Sequence, residues 1–306
     1  MEFLYLLEQI RVPFLDKLML GITILGEETA FLVLALIMFW CVDKYKGYYV
    51  LGVGLFGNLA NQFLKITCRV PRPWVCDPEF TVVEEAKAAA GGYSFPSGHT
   101  QTAVGTFASI ALTMKNRILR VVCIVLAVLV AFSRMYLGVH TPADVLVGAG
   151  MALLMAWLMQ YVMLGKGRKW SPVVFGVLTV LSVAFLLYVE LYPFPADLDA
   201  HNYASAVKNS YTFLGCFAGV LVVYLVDEKW LHFTNKACWW AQILKAVLGL
   251  GVVLLVKEGT RAPLELLLGH EMAARAVRYF LIVVTAGILW PLSFRWFSKL
   301  GKKEEE

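Results

Sequence analysis

Long apolar runs alternate with short polar breaks along this chain. Residues 28–42, 48–66, 98–114, 118–135 and 141–164 are built mainly from Leu, Val, Ile, Phe, Ala and Met, and similar stretches follow at 172–192, 206–226, 239–256 and 276–297. Wound as helices, runs of this length approach the hydrocarbon thickness of a bilayer. No soluble core buries so many of them at once. The pattern predicts an all-α, polytopic transmembrane helix bundle. Residues 1–24 differ. Glu2, Glu8, Arg11, Asp16 and Lys17 interleave with Leu, Phe and Ile, which predicts an amphipathic interfacial helix interrupted at Pro13. A tilted or re-entrant first span is the alternative.

Composition sharpens this picture. Of 306 residues, 59% are hydrophobic and only 16% charged, against about a quarter charged in an ordinary soluble domain. The net charge of +5 comes from Lys and Arg sited mostly between apolar runs, so it reads as a topology signal and not as a nucleic-acid surface. Glu2, Glu8 and Arg11 argue against a cleavable leader. The six cysteines lack metal-ligand spacing. Cys41, Cys123, Cys216 and Cys238 suit packing, while Cys68 and Cys76 flank a loop where a disulfide is one option.

Three polar clusters interrupt the apolar pattern between residues 65 and 144. Asn58, Asn61, Gln62 and Lys65 recur at helical spacing and put a polar stripe on one helix face. Interhelical hydrogen bonding explains Asn58, and Lys65 carries the stripe to the membrane edge. The loop 67–97 holds Arg72 and ends in Pro96-Ser97-Gly98-His99. It predicts a connector with a short surface helix, with a lid over a site as the sharper option. Ser97 can cap the helix that Gly98 opens, and its hydroxyl can also hold a phosphate there. Ser133-Arg134 closes the run 118–135. His140 and Asp144 stand one helical turn apart beside Thr141-Pro142, a good helix start.

Parity brings these clusters together. The run ending at Lys65 and the run starting at Gly98 meet on one membrane face, and two crossings later Arg134 and His140 return to it. The turns on the other face carry Lys44, Lys46, Lys115, Arg117, Arg120, Lys166, Arg168 and Lys169, which makes that face cytoplasmic and the site extracytoplasmic or lumenal. Three cations (Lys65, Arg72, Arg134), two histidines, a hydroxyl and a carboxylate suit phosphoryl transfer without a metal or other cofactor.

The order K-x6-R-P, P-S-G-H, S-R-x5-H-x3-D resembles the signature of the type-2 phosphatidic acid phosphatases, which are integral membrane lipid phosphatases. The resemblance covers roughly residues 48–165. It implies a six-helix-type phosphatase core with extra C-terminal spans, and roles for each matching residue: His140 attacks phosphorus to form a phosphohistidine, Asp144 orients it, His99 protonates the leaving oxygen, and Lys65, Arg72, Ser97, Gly98 and Arg134 bind phosphate. It implies a lipid phosphate or polyprenyl diphosphate substrate, with the membrane as partner. A phosphotransferase using the same site, and a lipid transporter or binding scaffold, are the rival readings. The expected division is 1–27 N-terminal segment, 28–165 catalytic core, 166–298 additional helices and 299–306 charged tail.

Overall fold

The computed structural model describes residues 1–88, 90–195 and 198–300, and these contain helices and connecting segments but no strand. The expected disorder of the charged tail falls, from residue 301 on, outside the described residues. In chain order the helices are α1 (Glu2–Gln9), α2 (Pro13–Thr23), α3 (Glu28–Ile37), α4 (Lys44–Cys68), α5 (Pro73–Cys76), α6 (Glu84–Ala88), α7 (Gly98–Thr113), α8 (Arg117–Tyr136) and α9 (Pro142–Met163). They continue with α10 (Ser171–Leu191), α11 (Ala200–Val226), α12 (Trp239–Gly259), α13 (Arg261–Leu268), α14 (Glu271–Val284) and α15 (Phe294–Phe297).

Among the described residues, six helical stretches are long and apolar enough to cross a membrane: Arg117–Tyr136, Pro142–Met163, Gly165–Leu191, Ala200–Leu231, Trp239–Leu268 and Glu271–Phe297. The pair Pro13–Gly26 and Glu28–Val42 adds a seventh if counted as one span, and it bends by 52° at its break. The chain is an integral membrane protein. Neither α4 nor α7 meets the same test, although the runs 48–66 and 98–114 read as spans in the sequence. Helix α4 is long enough but carries Asn58, Asn61, Gln62 and Lys65, while α7 has only 16 residues and carries Thr100, Gln101, Thr102, Thr106 and Ser109, all buried. A helix enclosed by protein has no need of an apolar surface. Asn58 accepts from Thr102 Oγ1 at 3.0 Å, an interhelical bond as expected for that residue.

Local chemistry sets the boundaries. The polar break between the runs 28–42 and 48–66 is mostly helical in the structure, because Asp43 Oδ1 accepts from the amides of Tyr45 and Lys46 and starts α4 at Lys44. Helix α4 stops at Cys68, with Arg69 in the left-handed region at φ 52° and its amide bonded to the Lys65 carbonyl at 3.1 Å. Pro71 and Pro73 prevent resumption of the same helix. Asn116 caps α8 by accepting from the amides of Ile118 and Leu119.

The chain forms two compact units. The first comprises 1–32, 49–161 and 193–206, and the second 33–48, 162–192 and 207–306. In the first, the N-terminal helices lie against α8: Arg11 Nε donates to the Tyr136 carbonyl at 2.8 Å, and the Tyr136 hydroxyl donates to Asp16 at 2.9 Å. In the second, α11 meets α14 across Gly215 and Gly219. A Cβ at Gly215 would stand 2.1 Å from the Ala276 carbonyl oxygen. Small residues four apart permit such a close crossing. Lys44 is buried there and paired with Asp227 at 2.9 Å.

Candidate active site

Every sequence-predicted site residue falls in the first unit, at the ends of five helices. Lys65 lies in the last turn of α4, and Arg72 immediately precedes α5. Ser97, Gly98 and His99 open α7, and Arg134 sits in the last turn of α8. His140 occupies the connector before α9, whose first turn holds Asp144. Lys65, Arg72, Ser97, Arg134, His140 and Asp144 are all buried, whereas Gly98 and His99 are half-buried.

His140 is gripped from two sides. Its Nε2 lies 2.9 Å from Arg72 Nη1, and its Nδ1 lies 3.5 Å from Asp144 Oδ2. The second distance is at the long limit, because a third group shares the carboxylate. Ser94 Oγ donates to Asp144 Oδ2 at 2.6 Å and stands 3.5 Å from His140 Nδ1. The same oxygen accepts the Thr141 amide at 2.8 Å, while Thr141 Oγ1 accepts the Asp144 amide at 3.3 Å. This reciprocal pair is a capping box, so the carboxylate that faces the imidazole also starts α9. Burial, then the charges of Arg72, Lys65 and Arg134 and the nearby His99, hold the His140 pKa well below the usual histidine range. Its ring is therefore neutral near pH 7, with a nitrogen lone pair available for bonding.

The cations are held by main-chain oxygens. Arg72 Nε donates to Gly92 O at 3.1 Å, Nη2 to Gly91 O at 2.8 Å, and Nη1 to Val139 O at 2.9 Å. Lys65 Nζ donates to the carbonyls of Tyr93 and Ser94. The segment 91–94 thus lies over two of the three cations. Arg134 Nη1 donates to Thr23 Oγ1 at 2.7 Å, and its Nε is buried without a partner. His99 lies within electrostatic range of Arg134, Arg72 and Lys65.

The expected cap by the Ser97 side chain does not form. Its hydroxyl pairs with the Thr100 hydroxyl at 2.9 Å, and no side-chain bond closes the helix start. Its amide instead donates to the Asp144 carbonyl at 3.0 Å, tying the P-S-G-H turn to α9. Cys68 and Cys76 are both free thiols, so the optional disulfide is not made. Among the described residues, no three His, Cys, Asp or Glu side chains are grouped as metal ligands.

Residues 45–168 match the PAP2 superfamily, and residues 211–303 match a second family described as PAP2 superfamily phosphatase, transmembrane extension. Phosphatidylglycerophosphatase B of Bacillus subtilis (strain 168) is 34% identical over 167 residues, covering 49% of this chain and 76% of that protein. The chain belongs to the PAP2 superfamily. Undecaprenyl-diphosphatase BcrC of the same strain is 31% identical over 146 residues, covering 47% of this chain and 72% of that one. A probable sphingosine-1-phosphate phosphatase of Dictyostelium discoideum is 31% identical over 160 residues, covering 48% and 38%. Among solved structures, the first transmembrane PAP2 type phosphatidylglycerolphosphate phosphatase from Bacillus subtilis gives a TM-score of 0.44 at 30% identity, over 52% of this chain and 81% of that one.

Three residues of this PAP2 phosphatase reach the site without a signal in the motif spacing. Ser94 bridges toward His140 and Asp144. Thr23 holds Arg134 from 111 residues away. Gly26 approaches His99 so closely that a Cβ there would lie 2.9 Å from the His99 carbonyl oxygen. Ser94 could have been suspected from its place just ahead of Pro96-Ser97. Thr23 and Gly26 belong to a segment whose sequence reads as interfacial, and nothing local ties it to the site.

Proposed function

We propose that this phosphatase removes phosphate from a lipid phosphate or diphosphate, without a metal, through a phosphohistidine on His140. The grip on His140 carries the reading: Nδ1 faces Asp144 and Ser94, so Nε2, beside Arg72, is the attacking nitrogen. The phosphate oxygens compete with the carbonyls of residues 91–94 for Lys65 and Arg72, and a charged acceptor binds a cation more strongly than a neutral carbonyl does. Arg134, with a free buried Nε, and the amides that open α7 complete the cradle. Nε2 bonds to phosphorus as the bond to the lipid oxygen breaks, and His99 gives that oxygen its proton. His99 then takes a proton from water, whose oxygen bonds to phosphorus as the P–N bond breaks and phosphate leaves. Three cations supply the charge stabilisation that a divalent metal would otherwise bring.

The site faces the extracytoplasmic or lumenal side in this reading, as the basic turns Lys115, Arg117 and Arg120 belong to the opposite face. Residues 28–165 form the working core, with 166–298 as additional helices. The named relatives act on differing lipids, and their shared chemistry is a terminal phosphate or diphosphate on a lipid.

The test is phosphate release from a panel of lipid phosphates and diphosphates in detergent. Wild type should release phosphate from at least one, with EDTA present, and His140→Ala should release none above background. Metal-reversible inhibition by EDTA, or turnover by His140→Ala, would overturn the mechanism. A phosphorylated acceptor in place of inorganic phosphate would make the enzyme a transferase.

A further inference from the structure

The second unit contains a basic cavity that the phosphatase reaction does not use. It measures about 480 Å³ and is lined by Gly165, Lys166, Arg168, Lys169, Pro172, Tyr224, Leu225 and Glu228. Arg168 is held in place: its guanidinium stacks 3.9 Å over the Tyr45 ring, and the Tyr45 hydroxyl donates to Glu228 Oε1 at 2.8 Å. A stacked guanidinium keeps its N–H fork free for a planar or tetrahedral anion. Glu228, the carboxylate in the lining, is engaged by Tyr45. Among the described residues, Lys166, Arg168 and Lys169 form no ion pair. Lys44, buried close by, is neutralised by Asp227 at 2.9 Å. The cavity lining therefore sets three cations against one carboxylate, Glu228, and leaves part of their counter-charge to be supplied from outside.

The surroundings indicate where that counter-charge comes from. Trp170 immediately precedes α10, Trp230 follows the end of α11, Trp239 and Trp240 open α12, and Trp296 lies in α15. Successive helices alternate in direction, so these five indoles mark one end of the unit. All are exposed, from 41% for Trp240 to 76% for Trp239. Tryptophans gather at the level of lipid headgroups, and basic pockets between membrane helices at that level suit anionic headgroups. A topology signal alone needs only dispersed charge, which Lys229, Lys236 and Arg295 already provide at this end. It needs neither a cavity nor a stacked arginine.

We propose that this cavity is a binding site for the phosphate-bearing headgroup of an anionic lipid from the adjoining leaflet, separate from the phosphatase centre. Arg168 makes the paired contact to the phosphate, with Lys166 and Lys169 at the rim.

The test uses the full chain, delipidated in detergent and titrated with phosphatidylglycerol or phosphatidylcholine, with bound lipids counted by native mass spectrometry. Wild type should retain phosphatidylglycerol selectively. Arg168→Gln should weaken that retention about five-fold, the usual effect of removing one cation near an anionic headgroup. Tyr45→Leu preserves every charge but frees Arg168, and it should weaken retention to a similar degree. The pair Lys229→Gln and Lys236→Gln, outside the cavity, should leave it unchanged. Thermal midpoints of the variants report on folding, and a folded Tyr45→Leu protein that retains the lipid as wild type does would overturn the proposal. Equal losses in the cavity and control variants would reduce the effect to diffuse charge and overturn it too. Displacement of phosphatidylglycerol by equimolar glycerol 3-phosphate would reassign the cavity to a soluble ligand.

Discussion

Asp144 Oδ2 is the most heavily shared atom of the candidate site. It accepts from Ser94 Oγ and the Thr141 amide and faces His140 Nδ1. Two donors fix the carboxylate in place, and its position against the ring holds the imidazole with its proton on Nδ1. Asp144→Asn should stay folded and bind substrate yet lose rate by roughly 10² to 10⁴, by analogy with the aspartate of serine proteases. Ser94→Ala removes one charge-assisted bond and should lower kcat about ten-fold with little change in KM. Steady-state kinetics on both variants checks this, and a wild-type kcat in Asp144→Asn would refute the orienting role. The depressed His140 pKa has its own consequence. The free enzyme's nucleophile stays neutral as pH falls through the ordinary histidine value, so the acid limb of kcat/KM should lie below about 6.5. Arg72→Gln removes one of the charges behind the depression, and its acid limb should move toward higher pH.

At the level of elements, the site depends on how closely α9 meets the segment before α7. Asp144 and Gly148 are one turn apart on α9. The Asp144 carbonyl accepts the Ser97 amide, and a Cβ at Gly148 would stand 2.8 Å from the Ser97 carbonyl oxygen. That neighbour is backbone and cannot swing aside. Gly148→Ala should therefore push the P-S-G-H turn off α9, destabilise the fold by about 1–3 kcal/mol, and reduce turnover more than it reduces expression. A thermal midpoint and a specific activity measured on the same preparation check this. Unchanged values for both would mean that the turn tolerates the shift. The segment 91–94 is a second such element. Its carbonyls satisfy Lys65 and Arg72 until a phosphate competes for them, which gives the connector a part in the site beyond linking α4 to α7.

For the whole molecule, the decisive question is orientation. Glu85, in α6, lies between α4 and α7, and Lys115 lies between α7 and α8. Both are exposed. If the candidate site faces outward, a cysteine at position 85 in a cysteine-free background should react with an impermeant thiol reagent on intact cells, and one at 115 should react only after permeabilisation. The reverse pattern would invert the topology and place the site in the cytoplasm.

Much of this was legible in the chain itself. The apolar runs required membrane helices, since a backbone in hydrocarbon must satisfy its own hydrogen bonds. Caps and breakers such as Asn116, Pro71 and Pro142 act within a turn or two, so most helix ends followed from neighbouring residues. The three motifs named a compact set of candidate residues for the same reason: each is a local helix terminus. Tertiary structure alone decided what those residues touch. Ser94 reaches Asp144 across 50 positions, Thr23 reaches Arg134 across 111, and the polar helix α7 is sheltered by neighbours its own sequence does not specify. Hydrogen bonds between distant segments depend on ångström-scale packing of whole helices, and hydrophobic periodicity fixes which face a helix buries without fixing which atom it meets there.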